Sequence, residues 1–276
     1  MFTEAIMDCL NSIYSTVGDT AGDSTALVSP LKQYSHQLYT WATLIMKNAI
    51  MPVSMVILAL FALLELQRIS VRMESVGSSN IPAEMVFKLL FKVALAKMAL
   101  DSIPIIMEAI YEVSTFLTTT IKSLVEIKQN TNPDLSMLRE LVEDLDFGQQ
   151  VLMLLTCSVV ELITWIATII SGVIVTARFI EIYVFFAVSP LPASTFLHDE
   201  FSSIGKGFLK NFAAVCLQGT LIFLVMSFFP ILMTGALAAD VNNVKGALTG
   251  ALGYAVVLVI SIFSTNRWSK AIVGAA

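Results

Sequence analysis

Val151 to Ala177, VLMLLTCSVVELITWIATIISGVIVTA, is a run of 27 residues with one charged side chain, Glu161, and it stops against Arg178. A helix needs about 20 mostly apolar residues to cross a bilayer core of about 30 Å, so this run is long enough to span with some tilt. Its length decides the fold class. A core helix of a water-soluble domain has no use for 27 residues that are apolar on every side.

The rest of the chain agrees. Of 276 residues 57% are hydrophobic and 13% charged, and mean hydropathy is +0.81. A soluble fold would have to bury several long apolar runs in one modest core, so the composition points to an all-α, polytopic helical membrane protein. MFTEAIMDCL at the start carries Glu4 and Asp8 and no basic residue. It lacks the charged region of a cleavable signal peptide, and the first true span is expected to act as the insertion signal.

Cys9, Cys157 and Cys216 are odd in number, far apart and set among apolar neighbours. They read as small buried hydrophobes, with no disulfide expected. With His36 and His198 the only histidines, no metal cluster and no cofactor are expected. The net charge of −5 argues against broad nonspecific nucleic-acid binding, which depends on Lys and Arg neutralising phosphates, while leaving room for a local path.

In order, Thr3 can cap a first amphipathic helix carrying Ile6, Leu10, Ile13, Tyr14 and Val17, with Gly18 as its stop. It is too short to span and is expected on the membrane surface or on a neighbour. Asp19 to Pro30 reads as a loop, and Tyr34, Tyr39 and Trp41 as interfacial aromatics leading into a first span, Asn48 to Leu66. Arg68 and Arg72 follow in a short link, where Asn80 can cap and Pro82 can open the next helix.

That helix, about Ala83 to Ile121, carries many charges and should kink at Pro104. At 100° per residue Lys97, Asp101, Glu108 and Glu112 fall within about 60° of one another, whereas Lys88 and Lys92 lie on the opposite side. A stripe of this kind facing lipid is costly. Either the helix is interfacial or buried with its charges paired, or the stripe lines a pore or faces substrate; these four are candidate lumen or subunit-contact residues.

Asn132 to Gly148 reads as a capped amphipathic helix outside the bilayer with a strongly acidic solvated face. Beyond the central span, Phe179 to Val188 is about ten residues, too few to cross alone. It either continues the central helix or forms a re-entrant or interfacial segment. Asn211 to Met233 and Gly246 to Phe263 are further spans. Gly246 and Gly250 give a GxxxG spacing with Gly253 just after, which allows close helix packing.

These elements give about five transmembrane helices, two amphipathic helices and one short segment. The chain divides into an N-terminal region 1–47, two membrane helices in 48–121, the acidic helix in 122–148 and a membrane core in 149–276. Arg68, Arg72, Lys88, Arg178, Lys206, Lys210, Arg267 and Lys270 fall on one side of the spans. The positive-inside rule then places the N-terminus outside and the C-terminus in the cytoplasm.

No P-loop, GxSxG, HExxH or Cys/His metal spacing occurs, and no enzyme is expected. Glu161 is the most informative single residue, because a mid-span acid is expensive unless paired or hydrated. It serves either a hydrogen bond to a neighbouring helix or a hydrated conduction path. Arg178 and Glu181, at i and i+3, can pair at the cytoplasmic boundary.

The segment RFIEIYVFFAVSPLPASTF (178–196), followed by GKGFLKNFAAVCLQGTLIFLV (205–225), resembles the TrbL family. These are polytopic inner-membrane subunits of type IV secretion and conjugation systems, here most like the short versions of Gram-positive conjugative elements. The likeness is clearest from about Gly148 to Trp268. It implies a homo-oligomeric ring in the bacterial cytoplasmic membrane, among lipids and other secretion subunits, passing DNA or protein with power from separate cytoplasmic ATPases. Arg178, Glu181, Ser189 and Pro190 carry over as a structural corner. Two rival readings remain: an ion-coupled secondary transporter, with Glu161 or Asp101 as the ion site, and a purely structural membrane anchor.

Overall fold

The fold is given by a computed structural model that describes residues 3–9, 11–13, 25–75, 83–128, 143, 146–198, 200–239 and 244–275. Among the described residues every regular element is helical. The order is α1 (helical at 3–9 and 11–13), α2 Thr25–Val28, α3 Leu31–Tyr34, α4 His36–Ile45, a π turn Met46–Ile50, α5 Met51–Ser75, α6 Ala83–Asp101 and α7 Ile103–Lys128. Then follow α8 Phe147–Val188, α9 Pro190–Ala193, a 3-10 turn Ser194–Leu197, α10 Ser202–Ala239 and α11 Val244–Val273. Gly18, the Asn80 and Pro82 opening, and nearly all of the acidic helix expected at 132–148 lie outside the described residues.

Four of these stretches are long and apolar enough to cross a membrane: His36–Arg72, Phe147–Val188, Ser202–Phe229 and Leu252–Val273. The first two contain the spans read at Asn48 to Leu66 and Val151 to Ala177, and the other two overlap the spans read at Asn211 to Met233 and Gly246 to Phe263. The fifth, Ala83 to Ile121, is not among them, and its charged residues are the reason. The structure also divides it. Pro104 has no N–H for the carbonyl of Leu100, and α6 gives way to α7 at Ser102, although Ser102 N–H still donates to Met98 O at 3.0 Å.

The central helix does continue beyond Arg178. α8 has 42 residues, about 63 Å at 1.5 Å per residue, and ends where Pro190 cannot extend it. Pro190 cannot donate to the carbonyl of Phe186, which accepts instead from Ser189, the hydroxyl at 2.8 Å and the N–H at 3.4 Å. The Ser-Pro pair thus ends the helix and satisfies its last turn. Pro52 acts differently at the other end of the chain: its missing donor and the clash with residue 48 are absorbed by the π turn, where Met51 N–H reaches back to Met46 O.

The chain forms two compact units, each assembled from separate stretches. The first comprises Met1–Ser29, Ser114–Arg178 and Leu217–Trp268. Its core packs Ile6, Cys9 and Ile13 of α1 against Met153, Cys157 and Val160 of α8, with Ala255, Leu258 and Ile262 of α11. A second cluster joins Leu27 to Ile222, Phe223 and Met226. The amphipathic α1 therefore docks on helices of its own chain.

The second unit comprises Pro30–Val113, Phe179–Cys216 and Ser269–Ala276. Aromatic rings organise it. Tyr34 stacks on Phe179 with centroids 3.5 Å apart, Tyr111 meets the same ring at 6.5 Å, and Phe185 packs against Phe208 and Phe212. The Tyr183 hydroxyl donates to Leu31 O at 2.7 Å, so this tyrosine buries its ring and keeps a polar partner.

Candidate functional site

Chemistry in a membrane protein is marked by polar groups that the bilayer would penalise, and these fall into three groups here. In the first unit, Glu161 lies half-buried on α8. Ser12 Oγ donates to its Oε1 at 2.5 Å and Cys9 Sγ to its Oε2 at 3.4 Å. Of the two readings of Glu161, this geometry supplies the hydrogen bond to a neighbouring helix. The i, i+3 spacing of Cys9 and Ser12 puts both on one face of α1. All three cysteines are buried thiols outside any disulfide.

Two further polar contacts join helices of the same unit. Thr118 Oγ1 and Thr220 Oγ1 are 2.9 Å apart, and Ser114 lies 3.2 Å from Thr220, linking α7 to α10. Gln218 donates to Thr265 at 3.4 Å, linking α10 to α11. Between Gln218 and Thr220 sits Gly219, and against it lies the guanidinium of Arg178, only 3% exposed. A Cβ built on Gly219 would collide with Arg178 Nη1. Glu181, the expected i+3 partner, lies on the exposed face of α8. Arg178 thus lies against a neighbouring helix, and sequence spacing holds no sign of Gly219.

The second unit holds the charged stripe. Lys97 Nζ is 3.0 Å from Asp101 Oδ2, with the two side chains 59% and 45% exposed. Glu108 is tied elsewhere, accepting from the Tyr39 hydroxyl and lying 3.3 Å from Lys32 Nζ. Lys32 also sits over the Tyr39 ring at 5.4 Å, and the Glu108 carboxylate raises the Lys32 amine above its ordinary value. Glu112 is exposed. The stripe is thus one outward ion pair, one paired acid and one outward acid.

Lys88 and Lys92, on the opposite side of α6, both find carboxylates: Lys88 pairs with Glu84 at 2.7 Å and Lys92 with Glu65 at 3.4 Å. Glu65 also lies 3.9 Å from Arg68 and from His198 Nε2. Sequence reasoning misses Glu65, although its i, i+3 spacing to Arg68 is visible in the chain.

Of the corner residues Arg178, Ser189 and Pro190 are buried and Glu181 is exposed; Ser189 bonds within its own turn, and Pro190 opens α9. Gly205, at the start of α10, receives this corner. A Cβ there would meet the Phe196 ring and, at 2.7 Å, Pro192 O. Of the three α11 glycines, Gly246 and Gly250 are half-buried, while a Cβ at Gly253 would meet no atom within 4 Å. Among the described residues nothing packs closely on Gly253. Among the described residues no group of histidines, cysteines and carboxylates could hold a metal.

In comparisons with known proteins, residues 11–190 match the family described as TrbL/VirB6 plasmid conjugal transfer like protein. The match begins far earlier than the Gly148 start expected from sequence and ends at Pro190, taking in α1's last turn, the charged helices and all of α8. No curated protein and no solved structure matches the chain.

Proposed function

The chain belongs to the TrbL/VirB6 plasmid conjugal transfer family, and on that premise we propose that it is a noncatalytic channel or scaffold subunit of a conjugative type IV secretion system. It resides in the cytoplasmic membrane as one of several copies and helps pass DNA or protein across it, with cytoplasmic ATPases among its partners. The observation that carries this reading beyond the family is the stripe. Lys97, Asp101 and Glu112 are exposed on helices of a membrane protein, and charged side chains in that setting face water or other protein rather than lipid. A wet passage or a neighbouring copy supplies such a setting.

Glu161 takes a structural part in this reading, since both its oxygens are engaged by α1. The topology that fits places the N-terminus outside and the C-terminus in the cytoplasm. This requires α6 and α7 together to cross, because the four more apolar spans alone return both termini to one side. Reporter fusions after Ser75 and after Lys128 test that step: opposite locations support it, and a shared location removes it.

The mass and symmetry of the full-length protein in mild detergent test the function. A closed ring of several copies, with cysteines introduced at Lys97 or Glu112 crosslinking to transferred DNA or between copies, is the expected result. A monomer stabilised by a small solute would replace this reading with a transporter.

A further inference from the structure

An apolar groove of about 310 Å³ lies within the first unit between α10 and α11. Leu221, Val225 and Phe228 form one wall, and Tyr254, Val257 and Trp268 the other. Among the described lining residues, hydroxyls are carried by Tyr254 and Ser261. From Tyr254 to Trp268 it follows fourteen residues of α11, about 21 Å at 1.5 Å per residue, somewhat more than one leaflet of the hydrocarbon core.

The two ends of this wall differ. Trp268 is an amphipathic ring, 39% exposed, of the kind that settles at the level of lipid headgroups. Arg267, one position earlier and outside the lining, is exposed and places a cation at the same depth. Among the described residues the opposite end has apolar walls and one tyrosine. An apolar slot within membrane-spanning helices, with an interfacial aromatic and a cation at one end, matches the chemistry of a phospholipid: acyl chain inside, anionic headgroup at the basic end.

We propose that the groove between α10 and α11 is a binding site for one acyl chain of an anionic phospholipid, with its headgroup at Arg267 and Trp268. The lipid would complete the wall of the hairpin. This assignment rests on the membrane-spanning helices and not on the conjugative reading, so either can fail without the other.

The test uses the full chain in dodecyl maltoside, titrated with phosphatidylglycerol or with phosphatidylcholine of the same acyl chains, and reads retained lipid by native mass spectrometry. Wild type should retain phosphatidylglycerol at least fivefold more than phosphatidylcholine. Arg267→Gln should bring that ratio towards one, and Val257→Trp, at an exposed lining position, should reduce retention of both lipids. Equal retention of the two lipids by wild type overturns the proposal, as does a phosphatidylglycerol preference that survives both substitutions. A Val257→Trp variant that loses subunit association while keeping its lipid also overturns it, and assigns the groove to a second copy.

Discussion

The guanidinium of Arg178 occupies the space that a side chain on Gly219 would fill, so the identity of one residue fixes the position of the other. The obstacle is the end of a flexible side chain, but that end is itself buried and has little room to move. Gly219→Ala should therefore displace Arg178 and leave the backbone in place. A cost of about 1 to 3 kcal/mol is expected from such overpacking, read as a lower Tm in detergent. Transfer frequency should fall as it does in Arg178→Gln, and the double variant should be no worse than the poorer single one. Additive losses would mean the two residues act separately.

Glu161 holds α1 to α8 through Ser12 and Cys9. Glu161→Ala removes both acceptors and should weaken that docking by about 1 kcal/mol, the scale of an intramembrane hydrogen bond. Cys9, buried in the native structure, should then react with a membrane-permeant maleimide about fivefold faster. Glu161→Gln, which keeps one acceptor oxygen, should fall between. An unchanged Cys9 rate in the alanine variant would show that α1 is held by its apolar face alone.

The outward pair Lys97 and Asp101 separates a local from an assembled role. As a solvated i, i+4 pair it is worth only about 0.3 to 0.5 kcal/mol, so Lys97→Glu and Asp101→Lys should barely shift the Tm of the monomer. In the assembled machine each single reversal should cut transfer at least tenfold. Recovery in the double reversal would show that their mutual pairing suffices, and loss in all three variants would place a separate partner on each.

Lys32 offers a pH signature outside the spans. The Glu108 carboxylate raises its amine above the ordinary 10.5, so the folded state favours the charged form. A raised value contributes stability below the unfolded pKa and loses it as pH climbs through the folded one. The Tm difference between wild type and Lys32→Met should therefore be constant between about pH 7 and 9 and shrink above about 10.5. A difference growing with pH would exclude the ion pair as its source. The effect is small, because the Lys32 side chain is largely exposed.

Features set by near neighbours are legible in the amino-acid sequence. The continuous apolar run of α8, the Ser-Pro stop at its end, the weak point near Pro104 and the Lys97 to Asp101 pair all depend on residues within about four positions. Partners contributed by distant segments are not legible in this way. Glu161 meets Ser12 and Cys9 across about 150 positions, Glu108 meets Lys32 and Tyr39, and Arg178 lies against Gly219. Helical periodicity tells which face a residue occupies and nothing about which helix comes to that face. Hydropathy makes the spans shorter than the helices because it follows the bilayer, whereas backbone hydrogen bonding continues beyond it.

The π turn at Met46–Ile50 gives the first membrane helix a phase offset. A wider turn inserts roughly one extra residue into the winding, so the faces before and after it differ by about 100° from an uninterrupted α-helix. Tyr39 reaches Glu108 from the near side of that offset, while Glu65 reaches Lys92 from the far side. Deleting one residue between 46 and 50 would rewind the helix and take one of these two meetings out of alignment, with every contacting side chain still present. The spacing of this tract is therefore under a length constraint, one that insertions and deletions would reveal and substitutions would not.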